Sequence, residues 1–240
     1  MNADLKSRIL NEALLKRVVE PEIAVQEIKS GMTIGTAGGF QFGYPKTIFS
    51  KLVDLKKGDR NFKIDLWAGG PVGEEIDGSL SLYGIMRKRL GQQANANLRK
   101  RINERKVLFS DLRCGIFPQQ VRSGSLGIVD LAIIEAVGIT EDGNIIPSAS
   151  LHDGPTFVHM AQKVIVEINP FYPLELEGIH DIYLFKNPQL REYITIIQPG
   201  YRIGTPYIPV EKEKIICIVE ATIQDPFIPR SPIDETSEKI

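Results

Sequence analysis

"VDLAIIEAVGI", Val129 to Ile139, is a run of branched and small apolar residues broken inside the strand only by Glu135. A strand with one wet face alternates apolar and polar positions, whereas this run is apolar on both, the pattern of a strand covered by helices on either side. The same texture recurs downstream in "KVIVEIN" (163–169) and "KIICIVEAT" (214–222), and upstream in "MTIGTA" (32–37), "FKIDLWA" (62–68) and "KVLFSD" (106–111). Between these strands lie helical patterns: Asp4 to Arg17, a helix opening at Pro21 with Gly31 past its end, Pro45 to Lys57, Ser79 to Leu90, Asn97 to Arg105, Pro118 to Ser123, and "PTFVHMAQ" (155–162). "TEDGNIIPSAS" (140–150) reads as a turn with an Asp-Gly hairpin signal and a short strand. From Pro170 the chain turns proline-rich and irregular until "KIICIVEAT". The alternation predicts an α/β fold, a mostly parallel β-sheet sandwiched by helices.

Composition narrows the class of protein. The 240 residues are 42% hydrophobic and 25% charged, ordinary for a globular chain. Lys plus Arg is 29 against 30 Asp plus Glu, so no overall basic field argues for nucleic-acid binding. The basic runs "RKRL" and "LRKRINERK" read as solvated helix faces. Cys114 and Cys217 stand far apart in apolar surroundings with no C-x-x-C pair, and are expected to be reduced and buried. His152 and His159 have no metal-ligand spacing, and no metal site is expected. The amino terminus is amphipathic without a signal-peptide core, and no stretch approaches a membrane span, which points to a cytoplasmic protein without membrane contact.

Two glycine clusters follow strands. "TAGGFQFGYPK" (36–46) sits where a dinucleotide loop would sit, but with Gly35, Gly38, Gly39 and Gly43 it lacks the G-x-G-x-x-G spacing that lets a pyrophosphate reach a helix N-terminus. "GGPVGEE" (69–75) is the second cluster. Loops without Cβ atoms allow close approach of a ligand to backbone. Glu74 and Glu75 read as first-turn acids favoured by the helix macrodipole, not as nucleophiles.

Six blocks carry a resemblance: "AGGPVGEEIDG" (68–78), "LRKRINERKVLFSD" (98–111), "VDLAIIEAVGITEDGNIIPS" (129–148), "KVIVEIN", "LEGIHDIY" (176–183) and "YRIGTPYIPV" (201–210). In this order they resemble the acetyl-CoA hydrolases and succinyl-CoA:acetate CoA-transferases, from about Leu5 to Asp225. The resemblance implies a CoA-transferase-like fold of the NagB/RpiA/CoA-transferase type and the amino-terminal half only: residues 1–225 as the domain, 226–240 as a tail toward a carboxy-terminal domain. It further implies that CoA moves between an acyl-CoA and a small carboxylate through a glutamyl-CoA intermediate. The nucleophilic glutamate and its oxyanion hole would then stand in the other half, leaving no catalytic residue here. Coenzyme A is implied as substrate, with no other cofactor, and a carboxy-terminal domain or subunit and a homo-oligomer as partners. A stand-alone, non-catalytic domain that binds CoA esters or a partner remains open, as does, more weakly, a sugar-phosphate isomerase or sugar-responsive regulator of related architecture.

The same resemblance nominates substrate-binding residues: Gly38, Gly39 and Phe40 in the first loop, Gly69, Gly70, Pro71, Val72 and Gly73 in the second, and Arg202 in "GYRIGTP". Pro71 stands where acetate-using relatives often carry serine, and Tyr201 where the family's D-R-I-G pattern has an acid. Arg202 is read equally as a carboxylate fork or as a salt bridge between the halves. His180 is expected to be structural, bonded to backbone or Asp181. With the other half absent, Phe40, Phe42, Ile203, Tyr207 and Ile208 are expected to be exposed and to drive self-association.

Overall fold

The computed structural model describes residues 3–39, 42–226 and 233. Eight strands form one sheet: β1 (Thr33–Thr36), β2 (Ile64–Trp67), β3 (Met86–Leu90), β4 (Leu108–Ser110), β5 (Leu131–Ile139), β6 (Ile145–Pro147), β7 (Lys163–Ile168) and β8 (Ile215–Glu220). Their order is β4-β3-β2-β1-β5-β7-β8, all parallel, with β6 antiparallel on β5. The expected α/β class with a largely parallel sheet is what the chain adopts.

All nine residues of β5 are buried, as its two-sided apolar run requires. Leu131 and Ile133 face a core shared with Ile48, Phe49 and Leu52 of the helix Thr47–Lys56, while Ala132 and Ile134 face one with Phe117, Phe157 and Val158. At nine residues β5 outruns its neighbour: β1 pairs with it only as far as Ile133, and the hairpin strand β6 takes over from Ala136 to Ile139.

Three helical expectations are corrected. The helix expected over Asp4 to Arg17 is two short ones, Ala3–Ser7 and Glu12–Leu15, because Ile9 between them makes a bridge to Ile139 and Asn11 caps the second turn. The helix from Pro21 ends at Val25, with turns up to Gly31. Most consequentially, the helix expected from Ser79 to Leu90 is a single α-turn Ser79–Leu82, continuing a π-turn Glu74–Gly78, and then the whole of β3. Along "MRKRL" Arg87 is exposed, at a register irregularity against β2, and Arg89 is buried, so a strand carrying a buried arginine passed for a basic helix face.

Two burial expectations fail as well. Arg89 is fully buried rather than solvated, and Cys114 is exposed while Cys217 is buried. The segment from Pro170 to β8 is irregular as expected, with 3-10 turns at Leu174–Leu176, Pro188–Leu190 and Lys212–Lys214 and single bridges of Ile182 to Thr205 and Ile208 to Ile145. Of the 226–240 tail, only Pro226 and Ile233 lie within the described residues. No helix among the described residues is long and apolar enough to cross a membrane.

Candidate functional site

The strand order places a crossover point at β1. From it the chain runs outward through β2, β3 and β4, then returns to β5 on β1's other side. In open parallel sheets the crevice beyond the carboxyl ends of such strands is where ligands bind, because the loops there diverge and leave a gap. Both glycine loops, after β1 and after β2, open onto this edge.

A third segment, after β6, threads between them. A methyl group at Gly43, whose φ is +69°, would overlap Ser150, and one at Gly69 would overlap the Asp153 carboxylate. The glycines therefore serve close packing of the 148–153 segment. Asp153 is 4% exposed, and its Oδ2 stands 3.1 Å from His152 Nδ1.

Beside the second loop lies a cavity of about 420 Å³, lined by Tyr44, Pro71, Val72, Gly73, Glu74, Glu75, Ala94, Asn95, Gln224 and Pro226. Tyr44 donates its hydroxyl to Glu75 Oε2 at 2.6 Å, and Asn95 and Asn97 donate side-chain N–H groups to Glu74 at 2.7 and 3.0 Å. Burial, with the Glu75 carboxylate beside it, drives the Tyr44 phenol well above its ordinary value, so it remains a donor. Glu74 and Glu75 thus sit in the first turn of the π-helix with amide and phenol partners, in keeping with their reading as helix-start acids.

Behind the first loop lies a buried polar network that sequence reading did not anticipate. Glu167 of β7 reaches the start of the helix Thr47–Lys56, accepting from the backbone N–H groups of Lys46 (2.9 Å), Thr47 (3.0 Å) and Ile48 (2.9 Å). This satisfies donors that helix geometry leaves unpaired, and no side chain at the cap position does so. Burial nevertheless pushes the Glu167 carboxyl up. Its register partner Glu135 accepts from Ser148 Oγ at 2.6 Å and Asn169 Nδ2 at 3.0 Å, and burial pushes it up to about 8. Lys46, 1% exposed, pairs with Asp225, which also accepts from the Tyr172 hydroxyl and from Gly43 N at 3.1 Å. Asp225 so ties the chain after β8 to the first glycine loop. The available signal was a glutamate inside each of two otherwise apolar strand runs.

The second loop has its own anchor. Arg89 of β3 forms an ion pair with Asp77 at 2.8 Å, both side chains fully buried, and donates to the carbonyls of Ala68 (2.7 Å), Gly70 (2.9 Å) and Gln92 (2.9 Å).

Of the residues nominated from sequence, Pro71, Val72 and Gly73 line the cavity; Gly38, Gly39, Gly69 and Gly70 stand in the adjoining turns; Phe40 lies outside the described residues. Arg202 does not line the cavity. Its exposed guanidinium donates to the carbonyls of Gly178 (2.7 Å) and His180, while Asp181 accepts from Ile203 N and Gly204 N, so the two turns clasp each other. His180 bonds the Ser148 carbonyl through Nε2 at 2.8 Å, a backbone contact as expected. The apolar patch is corrected: Ile208 is buried, having paired with Ile145, and Phe42, Ile203 and Tyr207 are half-buried. Among the described residues no group of three or more His, Cys, Asp or Glu is placed to hold a metal ion.

Comparison with known proteins places this architecture. Over 236 residues the chain is 40% identical to succinyl-CoA:acetate CoA-transferase of Clostridium kluyveri, covering 98% of this chain and 44% of that protein. It is 35% identical to acetyl-CoA hydrolase of Schizosaccharomyces pombe, covering 98% and 47%. The chain thus spans a little under half the length of these curated relatives. Among solved structures it resembles RipA of Yersinia pestis (TM-score 0.64, 15% identity, 99% of this chain and 48% of that one). It also resembles glutaconate coenzyme A-transferase of Acidaminococcus fermentans (TM-score 0.57, 14% identity, 85% and 75%), a likeness of fold. With residues 1–220 matching the family model for the acetyl-CoA hydrolase/transferase N-terminal domain, the chain belongs to that family.

Proposed function

We propose that this chain forms one wall of the active site of an enzyme that moves CoA between an acyl-CoA and a small carboxylate, with the nucleophilic glutamate on a second half. The observation that carries this reading is the convergence of both glycine loops and the 148–153 segment at the sheet's crossover edge, in a chain 40% identical over nearly its whole length to a CoA-transferase. Chemically, that edge offers close backbone approach and rigid support, which suits holding an acyl or carboxylate group while another half reacts with it. Its two cavity carboxylates are already engaged by Tyr44, Asn95 and Asn97. Coenzyme A enters as substrate. A carboxylate role for Arg202 belongs to the same proposal and requires its guanidinium to leave the Gly178 and His180 carbonyls.

The test is an exchange assay with acetyl-CoA and succinate, on the chain alone and mixed with the carboxy-terminal half of the Clostridium kluyveri relative. The expected result is no exchange alone and exchange in the mixture. Turnover by the chain alone at an enzymatic rate, roughly 1 to 10³ per second, would remove the second half from the mechanism. Binding of acetyl-CoA without exchange in any mixture would favour a binding domain instead.

A further inference from the structure

His152 has a backbone φ of +39°, a left-handed conformation that, among the described residues other than glycine, only Arg105 shares. Such conformations are uncommon outside glycine and persist where surrounding structure enforces them. Here the enforcement is visible. Asp153, itself buried, holds Nδ1 at 3.1 Å and packs where a side chain at Gly69 would be. The ring's other nitrogen, Nε2, lies over the backbone of Gly70, 2.7 Å from where a Cβ would stand. Replacing either glycine would displace the Asp-His pair.

The pairing fixes the chemistry of each nitrogen. With Nδ1–H donating to the carboxylate, Nε2 is the nitrogen left to act, beside Gly70, as a base when the ring is neutral and as a donor when it is charged. Among the described residues Nε2 has no hydrogen-bond partner, and the side chain keeps 28% exposure. His180 makes the contrast, since its Nε2 is engaged with the Ser148 carbonyl. Besides their own partnership, two arginines act on the pair. Asp153 raises the imidazole's pKa, with burial opposing it; Arg89 also opposes it but is neutralised by Asp77; Arg122 acts on the far side, on Asp153.

We propose that His152, oriented by Asp153, binds an oxygen of a small carboxylate over the second glycine loop, its Nε2–H donating from the imidazolium form. This rests on the carboxylate-wall reading above and gives that wall its cationic donor. No bond is made or broken; the imidazolium keeps its proton and forms a charge-assisted hydrogen bond.

The experiment is an NMR titration of the chain, labelled in histidine rings and backbone, with sodium acetate against sodium chloride at matched ionic strength. Acetate is expected to shift the His152 ring signals, raise the pH at which that ring titrates, and shift the Gly69, Gly70 and Gly73 amides. His152→Asn is the informative variant, since asparagine tolerates the left-handed backbone but carries no charge. It should weaken acetate roughly tenfold or more, the scale of one charged hydrogen bond. Asp153→Asn should lower the His152 titration point and weaken acetate in parallel. If acetate shifts the loop amides but leaves the His152 ring untouched, this assignment is overturned while the carboxylate wall stands. If acetate shifts neither, both fall. Equal acetate affinity in a folded His152→Asn chain also overturns the assignment, and the wild-type titration decides the matter should that variant not fold.

Discussion

Asp77 and Arg89 face each other at 2.8 Å with no solvent exposure on either side chain, joining the π-turn to β3 beneath the second glycine loop. Removing one partner leaves an uncompensated buried charge, a change that costs about 3–5 kcal/mol. Asp77→Ala is therefore expected to lower stability to urea by that amount. Arg89→Met combined with Asp77→Leu should lose less than the two single changes together, because no lone charge is left. A fully additive double variant, measured by urea unfolding, would show the pair is not coupled.

The close approach of the 148–153 segment makes Gly69 irreplaceable. Gly69→Ala drives a methyl into the Asp153 carboxylate, whereas Gly58→Ala and Gly115→Ala meet nothing within 4 Å. Overpacking of this kind costs about 1–3 kcal/mol, while open surface changes stay within about 0.5 kcal/mol. Thermal unfolding of the three variants should separate Gly69→Ala from the others. Equal melting temperatures would mean that the loop yields freely.

Glu135 gives the fold a pH dependence of definite sign. Its carboxyl is pushed up to about 8 in the folded chain by burial, against an ordinary glutamate value of about 4.3 when unfolded. Between those values the native state binds the proton more tightly, so the group's contribution to stability is fully present below about pH 4 and is lost as pH rises through 8. Glu167, also raised by burial, acts in the same direction. Glu135→Gln mimics the protonated form, so its stability relative to wild type should improve from pH 5 to about pH 8 and level off by pH 9. A difference that stays flat across that range, followed by urea unfolding at each pH, would place the Glu135 pKa near its ordinary value.

What the sequence determined by itself was the layering. Apolar runs such as 131–139, buried at every position, can be accommodated only in a sheet covered on both faces, and the helical segments between strands supply that cover. Local patterning also located the two glycine loops and the irregular stretch after Pro170, since turn and proline chemistry act over a few residues.

The tertiary structure alone decided what long-range contacts decide. Met86 to Leu90 is a strand because β2 and β4 flank it and Asp77 waits for Arg89, facts that no local window contains. Likewise Glu167 caps a helix about 120 residues earlier in sequence, and Asp225 reaches back to Lys46 and Gly43, so the site's support is built from residues that meet only when the sheet closes. Arg202 shows the limit most plainly. Its glycine- and proline-bounded loop reads as a carboxylate grip or a bridge between halves, and the folded chain adds two partners that spacing does not reveal, the backbone carbonyls of Gly178 and His180. A charged side chain takes the partners that folding brings within reach, and sequence spacing does not record them.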